Sequence, residues 1–328
     1  MKVLGFETSC DETSCAVVEV GRKVISNVVF SQIIDHQKYG GVFPELASRR
    51  HVEKIVDVYK NALTQANLTL KEIDVVAVTV QPGLVGSLLV GVNFAKGLAL
   101  YAKKPLVAVD HLKGHVASNY ITHSGLKPPF LCLVVSGGHT QIINVVDYVQ
   151  HEVMGRTMDD AAGEVLDKVG RVLGLQYPAG VAIDALAKTG NRKRYKLPRP
   201  QVKSSDLDFS FSGLKTAALN VIQCEQLKVG INIPDMAASF QGAVVDVLLE
   251  KLSIAMREKN AARFCLAGGV CANSELRTKA AAWADCCGFE SFFPAFEFCG
   301  DNAAMVAAQG YYEFNAGNIA CWDLNPLL

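Results

Sequence analysis

The chain has 328 residues, half of them hydrophobic and a fifth charged, and its 32 basic residues balance its 32 acidic residues. This length is enough for two packed lobes rather than one. A protein that binds nucleic acid by itself is usually basic overall, so the zero net charge excludes that class and restricts any nucleic-acid contact to a local patch or to a partner's surface.

The ten cysteines do not have the distribution of a disulfide scaffold. No CxxC pair occurs, and Cys286 and Cys287 are adjacent. Cys132 and Cys265 lie in apolar runs, where a free cysteine behaves as a small hydrophobic residue. We therefore expect a reducing, cytoplasmic environment. Residues 2–7 already read as a strand, so no signal peptide is predicted.

The first part of the chain predicts alternating strands and helices, which is typical of an α/β protein. Strands are predicted at 2–7, 14–20, 23–29, 75–80 and 106–109, and helices after Pro44 and at 84–102. The helix at 84–102 is strongly apolar, but Lys96 and several glycines interrupt it. We expect a buried helix of a soluble protein there and no membrane contact.

The second part of the chain begins with the same pattern, because the strand–polar turn–strand unit of 2–20 recurs at 130–146. Two copies predict two related lobes that face each other across a central cleft. We expect an N-terminal lobe over 1–109, a C-terminal lobe over 110–301, and a return of 302–328 to the first lobe. The further predicted elements are helices at about 159–173, 181–189, 235–258, 273–286 and 302–315 and a strand at 263–267.

The motif HLKGH places His111 and His115 four residues apart, directly after a predicted strand. On a helix the two imidazoles lie on one face, which suits two ligands of one metal ion. Ordinary surface histidines are the competing interpretation, and the position after the strand favours the metal. A zinc protease of this pattern needs a glutamate after the first histidine, and Leu112 stands there, so a metalloprotease is the weaker alternative.

A polar turn follows the first strand and gathers carboxylates and hydroxyls, which makes Asp11 and Glu12 candidate catalytic residues. The run Ser136–Gly138 follows a strand, and such glycines let backbone N–H groups approach a phosphate. Asp184 is a candidate partner for ribose hydroxyls, with a surface acid as the alternative. P-loop, Rossmann and nucleophile-elbow motifs are missing from the sequence.

One dense basic stretch is present, and it could contact phosphates or form a solvated loop. Its members are Arg192, Lys193, Arg194, Lys196, Arg199 and Lys203, with Tyr195 among them. A smaller basic group consists of Arg49, Arg50 and Lys54. Asp301 stands at a predicted helix start, where it would serve as an N-cap, a role that is compatible with metal binding.

Nine runs of residues carry a resemblance that extends over the whole chain: GFETSCDETSCAVV, YGGVFPELASRRHV, QPGLVGSLLVGVNFAKGLA, HLKGH, VSGGHTQ, DDAAGEVLDKVGRVLGLQYP, LDFSFSGLKT, GGVCAN and DNAAM. In this order the sequence resembles the tRNA N6-adenosine threonylcarbamoyltransferases of the bacterial catalytic-subunit type, a family formerly named O-sialoglycoprotein endopeptidase. The resemblance implies the α/β fold of actin, Hsp70 and sugar kinases (ASKHA), in agreement with the repeated unit.

The resemblance also implies an activity. The enzyme would transfer the threonylcarbamoyl group from threonylcarbamoyl-AMP to N6 of adenosine 37, in the anticodon loop of tRNAs that read codons beginning with A, and AMP would leave. One divalent metal is implied, with Fe²⁺ first and Zn²⁺ second. The implied partners are an inactive paralogue subunit and a small P-loop ATPase. A sugar kinase of the same fold and an inactive scaffold subunit are the remaining alternatives.

The family's site residues match positions of this sequence one by one. The metal ligands match His111, His115 and Asp301. The positions that bind the nucleotide substrate match Val134, Val135, Ser136, Gly137, Gly138, Asp167, Gly180, Asp184 and Asn273. The sequence departs from the family pattern at Ala179, Val181, Cys271 and Gly300, and it ends without the family's arginine-rich tail.

Overall fold

The computed structural model describes residues 1–202, 205–227 and 230–326. Lys203 of the basic stretch and residues 327–328 therefore lie outside the described residues. In chain order the strands and α-helices are β1 (Lys2–Glu7), β2 (Glu12–Glu19), β3 (Lys23–Ser31), α1 (Ile33–Gln37), α2 (Pro44–Ala66), β4 (Val75–Gln81), α3 (Val85–Ala102), β5 (Leu106–Asp110), α4 (His111–Thr122), β6 (Phe130–Val135), β7 (Thr140–Val145), β8 (His151–Arg156), α5 (Ala162–Val172), α6 (Gly180–Ala187), α7 (Ser212–Gln226), α8 (Ile233–Glu258), β9 (Arg263–Ala267), α9 (Ser274–Cys287), β10 (Glu290–Phe292) and α10 (Ala303–Asn315).

The chain divides into two compact units. Unit 1 consists of Met1–Pro128, Val146–His151 and Pro294–Leu328, and unit 2 of Pro129–Val145 and Glu152–Phe293. The division differs from the expected boundary between residues 109 and 110, because α4 belongs to unit 1. α4 packs against α10 of the same unit, where a Cβ on Gly114 would be in ordinary van der Waals contact with Met305.

The sheet of unit 1 has the strand order β3-β2-β1-β4-β5. β1 pairs antiparallel with β2 and parallel with β4. Because side chains alternate across a strand, Leu4 and Phe6 join the core under α2 and α3, while Val3 faces α10. A buried strand with both faces covered explains the continuous apolar run at the start of the sequence.

Helix α10 approaches β1 as closely as two backbones allow, and Gly5 makes this possible. A Cβ on Gly5 would lie 2.6 Å from the backbone oxygen of Ala303 and 2.7 Å from the backbone nitrogen of Ala307. The first residue of the helix is also fixed, because Ser14 Oγ accepts a hydrogen bond from Ala303 N at 2.8 Å. The end of β1 and the start of α10 are thereby held together, and this contact builds the site described below.

The sheet of unit 2 repeats the arrangement of the first, with the order β10-β9-β6-β7-β8. Its first strand, β6, is central; it pairs antiparallel with β7 and parallel with β9, and β9 pairs parallel with β10. In both sheets the two strands that follow the central one lie on one side, and the last two lie on the other. The internal duplication expected from the sequence is therefore confirmed at the level of topology.

The elements β8 and α7, like the short α1 and β10, were not predicted from the sequence. β8 has one buried residue, Gly155, so it lacks the apolar alternation of a strand. α7 buries only Leu214, Ala218 and Ile222, a narrow stripe at four-residue spacing. Both weak patterns arise because these elements lie at the edge of their unit's core, where few side chains are buried.

Helix α3 is long and apolar enough to cross a membrane by length and composition alone, and a third of it is buried. The side chains of Leu88, Val92, Ala95 and Ala99 are buried, and the last three of these positions belong to the core that covers the sheet of unit 1. The core helix of a soluble protein satisfies the same criteria. We therefore interpret α3 as a core helix.

Asp160 connects the start of α5 to α7 inside unit 2. Its carboxylate accepts hydrogen bonds from Lys168 Nζ at 2.8 Å, from Ser212 Oγ at 3.0 Å and from Lys215 Nζ. Burial alone would raise the pKa of Asp160, but the hydrogen bonds from the two lysines and Ser212 outweigh it and lower the pKa to about 2. The ionised carboxylate therefore stabilises the folded state.

We expect Asp160→Asn to lower the free energy of unfolding by about 1 kcal/mol at pH 7. Because the folded-state pKa is depressed, this stabilisation is present above about pH 4 and is lost as the pH falls towards 2. Urea unfolding at several pH values measures the difference between wild type and variant, which should shrink over that interval. Glu164→Gln, at an exposed partner of the same Lys168, is the control and should cost much less. A difference independent of pH would contradict the assignment.

Candidate functional site

Helix α4 brings His111 and His115 onto one face at the end of β5. Asp110 is the N-cap of this helix, and its side chain accepts hydrogen bonds from the backbone nitrogens of Leu112 and Lys113. The cap makes the helix begin at His111, so the four-residue spacing spans one full turn. The two imidazole centroids lie 4.6 Å apart.

The third member of this group is Asp301, which directly precedes α10. Asn302, rather than Asp301, caps the helix by accepting a hydrogen bond from Met305 N. Asp301 Oδ1 lies 3.2 Å from His115 Nε2 and 3.5 Å from His111 Nε2. One ligand atom from each of the three residues lies within 4.8 Å of the others, so this group could hold a metal ion.

His115 provides a test of whether a metal fits this group. Its side chain is fully buried, and neither ring nitrogen has a hydrogen-bond partner among the described residues. The contact to Asp301 Oδ1 is short but lacks the geometry of a hydrogen bond. A buried imidazole nitrogen without a partner is costly, and a metal ion would satisfy it. Two imidazoles and one carboxylate suit Fe²⁺ and Zn²⁺ alike.

Glu7 lies behind His111, at the end of β1. Its fully buried side chain contacts His111 Nδ1 through Oε2 at 3.0 Å. Burial disfavours the charged imidazole, but the charges of Asp301 and Glu7 outweigh it and raise the pKa of His111 to about 9. For Glu7 the balance likewise favours the ionised form, and its pKa is lowered despite burial. The sequence interpretation did not select Glu7, although a carboxylate at the end of an apolar strand was a usable signal.

The two candidate catalytic residues lie in unit 1, in and after the turn that follows β1. Asp11 is buried, and Glu12 begins β2, where its Oε1 accepts a hydrogen bond from Ser31 Oγ. Burial raises the pKa of Glu12 well above its usual range, and the charges of Asp11 and Asp301 add to the shift. Burial and nearby carboxylates also raise the pKa of the Cys10 thiol, which removes it as a candidate thiolate nucleophile.

In unit 2, Val134 and Val135 end β6 and lead into the turn Ser136–Gly138. The turn closes through hydrogen bonds from Ser136 N to His139 O and from His139 N to Ser136 Oγ. Apart from chain neighbours, no described residue has an atom within 4 Å of the position that a Cβ on Gly137 or Gly138 would take. The two exposed glycines therefore leave space for a ligand at the carboxyl end of a central strand.

The start of α5 packs against this turn. A Cβ on Gly163 would lie 2.6 Å from Ser136 O, so only a glycine allows the contact. Further along α5, Asp167 Oδ1 accepts a hydrogen bond from Ala179 N at 2.7 Å, directly before α6 begins at Gly180. Gly180 also has open space around its Cβ position within the described residues.

The remaining substrate candidates join the starts of further helices. Asp184 Oδ1 accepts hydrogen bonds from Ser274 N at 3.1 Å and from Ser274 Oγ at 2.9 Å. Asn273 caps α9 by accepting from Leu276 N, and it donates to Gln241 Oε1. Unit 2 thus brings helix starts and their polar residues together near the carboxyl ends of β6 and β9.

The basic stretch is only partly available for phosphate contacts. Arg192 pairs with Asp246 and with Glu275, and Arg199 pairs with Asp246. These two arginines therefore anchor the loop to α8 and α9. Within the described residues of the basic stretch, the exposed cations are Lys193, Arg194 and Lys196.

Comparison with known proteins identifies what the chain resembles. The family model described as tRNA N6-adenosine threonylcarbamoyltransferase matches residues 23–308. A curated protein of that name from Clostridium botulinum is 49% identical over 328 residues, which cover 100% of this chain and 96% of the relative. One from Thermosipho africanus is 51% identical over 317 residues, covering 97% of this chain and 96% of the relative.

Solved structures resemble the fold at low sequence identity. HypF from T. kodakarensis aligns with a TM-score of 0.65 at 16% identity, covering 97% of this chain and 48% of that chain. Component A of the Acidaminococcus fermentans (R)-2-hydroxyglutaryl-CoA dehydratase aligns with a TM-score of 0.57 at 15% identity, covering 95% and 98%. Together with the duplicated sheets, these similarities show the fold of actin, Hsp70 and sugar kinases.

Proposed function

The chain belongs to the tRNA N6-adenosine threonylcarbamoyltransferase family, and we propose that it transfers the threonylcarbamoyl group of threonylcarbamoyl-AMP to N6 of adenosine 37 in tRNAs that read codons beginning with A. The bond from N6 to the carbamoyl carbon forms, the bond from that carbon to the phosphate oxygen breaks, N6 loses a proton and AMP leaves. The convergence of His111, His115 and Asp301 is the observation of the structure that best supports this chemistry.

An exocyclic adenine amine is a weak nucleophile, so the reaction depends on stabilising the negative charge that develops on the acyl donor. A divalent metal held by His111, His115 and Asp301, Fe²⁺ in preference to Zn²⁺, would supply Lewis-acid stabilisation of that charge. Asp11 and Glu12 belong to the same unit, and the charge of Asp301 acts on Glu12. We assign to this pair the acceptance of the N6 proton.

We assign the nucleotide part of the donor to the residues of unit 2. Val134, Val135 and Ser136 lead to the exposed glycines Gly137 and Gly138, where the open space suits phosphate oxygens. Asp167 and Asp184 carry carboxylates that can accept hydrogen bonds from ribose hydroxyls, as in other nucleotide sites. Gly180 and Asn273 stand at the starts of α6 and α9, and their hydrogen bonds and open space fit a supporting role.

The charge distribution favours the help of partners in holding tRNA. The net charge is zero, and Arg192 and Arg199 are paired within unit 2. We therefore propose that an inactive paralogue subunit and a small P-loop ATPase complete the active assembly, and that it acts in the cytoplasm. The attacked base belongs to an RNA loop, where bases can be splayed out for recognition.

A reconstituted reaction tests the proposal. The metal-loaded protein, its two partners, threonylcarbamoyl-AMP and unmodified tRNA should yield N6-threonylcarbamoyladenosine and an equal amount of AMP. Mass spectrometry of the digested tRNA measures the modified nucleoside, and the free AMP is measured in the reaction mixture after removal of the tRNA. A tRNA with guanosine at position 37 is the control and should remain unmodified. Absence of the modified nucleoside under these conditions, with the protein folded and metal-loaded, would overturn the proposal.

A further inference from the structure

The environment of Glu7 is built from hydrogen-bond donors. Its Oε1 accepts a hydrogen bond from Ser9 N at 2.5 Å, and its Oε2 accepts one from Thr79 Oγ1 at 2.7 Å. The Nδ1 atom of His111 approaches the same Oε2 at 3.0 Å. An ionised carboxylate only accepts hydrogen bonds, and Ser9 N and Thr79 Oγ1 fill positions where a ligand ion would otherwise have access.

This geometry determines which nitrogen of His111 faces the metal group. Nδ1 points to Glu7, while Nε2 points to Asp301 Oδ1 at 3.5 Å. An imidazole that binds a metal is neutral and carries one proton, and a carboxylate at Nδ1 holds that proton there. The lone pair is then on Nε2, which is the form that a metal ion needs.

We propose that Glu7 is a positioning residue that accepts the Nδ1 proton of His111 and so presents the Nε2 lone pair of His111 to the metal. The inference rests on the metal role in the proposed function and adds to it a residue outside the three ligands. Carboxylates that orient ligating histidines raise metal affinity in this way, and their removal typically costs 10- to 100-fold.

The two histidines of the group differ in this respect. His111 Nδ1 has Glu7 and Ser9 Oγ within reach, whereas His115 Nδ1 has no hydrogen-bond partner among the described residues. The fixed orientation of the metal site therefore depends on the His111 side. A single substitution at Glu7 should therefore disturb the metal site although none of the three ligand residues is replaced.

Glu7→Gln is the decisive variant, because glutamine keeps the shape but offers only one oxygen. Whichever way it turns, its NH₂ group faces one of the donors, either Ser9 N–H or the pair formed by Thr79 and His111. We expect the dissociation constant for Co²⁺, measured by competition with a chromophoric chelator, to rise about 10- to 100-fold. In NMR of the Co²⁺ protein, the Nδ1 proton of His111 should change its shift and exchange faster with solvent, because a neutral amide oxygen is a weaker acceptor than the carboxylate.

Glu313→Gln is the matched control. Glu313 is also a buried carboxylate of unit 1 whose contacts are donors, namely Lys113 Nζ, Gln309 Nε2 and Asn318 Nδ2. Its replacement should lower stability but leave the Co²⁺ affinity within about twofold, since no metal-group residue is involved. Should Glu7→Gln fail to fold, Thr79→Val takes its place, because losing one hydroxyl loosens Glu7 and should weaken Co²⁺ binding several-fold.

The outcomes separate this inference from the proposed function. If the wild type binds Co²⁺ and the Glu7 variant binds it equally well with its Nδ1 proton signal unchanged, the role of Glu7 is wrong and the metal role stands. If the folded wild type takes up no divalent metal at all, the metal role in the proposed function is wrong, and the role of Glu7 is wrong with it.

Discussion

Replacing His115 with alanine should abolish metal binding and lower the rate of threonylcarbamoyl transfer by about 10³-fold, because Lewis-acid stabilisation contributes several kcal/mol to such a step. The substitution is cleaner than one at His111. His111 contacts buried Glu7, which would be left without that partner, whereas the ring nitrogens of His115 have no hydrogen-bond partner among the described residues. The variant loses a ligand and some packing, but it leaves no broken hydrogen bond from His115 behind.

Metal content by mass spectrometry and single-turnover transfer rates measure the two effects. His151→Ala is the matched control, because His151 also lies in unit 1 and its two ring nitrogens likewise lack hydrogen-bond partners in the described part of the chain. That variant should keep its metal and its rate. A His115→Ala protein that retains a full metal equivalent, or turns over like the wild type, would exclude the proposed metal role.

The sequence predicted some residues of the site and not others, because the residues differ in how far apart they lie along the chain. The pair His111 and His115 is local, so helical spacing alone placed both imidazoles on one face. Asp301 is distant in sequence, and no spacing rule connects it to α4; only the resemblance to the family suggested it. Glu7 was not selected although it ends an apolar strand, because its contact with His111 becomes apparent only when the fold brings the end of β1 to the start of α4.

The structure explains how the chain accommodates two of the departures from the family pattern, Ala179 and Gly300. Ala179 is buried, and its methyl group lies where a Cβ on Gly170 would approach to 2.3 Å, so the glycine at 170 makes room for the alanine. Gly300 has no atom of the described residues within 4 Å of its Cβ position, while its oxygen accepts a hydrogen bond from Asn302 Nδ2. The backbone oxygen of Gly300 therefore holds the capping side chain of Asn302, and this contact does not require a side chain at position 300.

The central strands of the two sheets were predicted better than the peripheral elements and the boundary between the units. The strand–turn–strand units at 2–20 and 130–146 correspond to β1–β2 and β6–β7, because buried central strands have a strong apolar signal. α4 belongs to unit 1 together with α10 because the two helices pack against each other. Such a contact between distant segments leaves no periodicity in the sequence.

Gly138→Leu should raise the KM for threonylcarbamoyl-AMP and lower kcat/KM about 100-fold, which corresponds to roughly 2.7 kcal/mol of lost binding in the transition state. The position has open space around its Cβ within the described residues, so the fold should accept the new side chain. The same space is where we place the phosphate of the donor. A leucine there occupies the volume that the ligand needs and covers the backbone N–H groups.

A control variant distinguishes exclusion of the ligand from damage to the fold. Gly125→Leu is the matched control, since Gly125 also has no described atom other than those of its chain neighbours within 4 Å of its Cβ position, but belongs to unit 1, whereas the proposed nucleotide residues belong to unit 2. Both variants should keep the Tm of the wild type within a few degrees, and only Gly138→Leu should lose donor affinity in equilibrium binding of a non-hydrolysable analogue. Equal affinities in the two variants would show that the turn Ser136–Gly138 does not contact the donor. Because metal content is unaffected by either change, that result would remove the nucleotide assignment of unit 2 and leave the metal group of unit 1 intact.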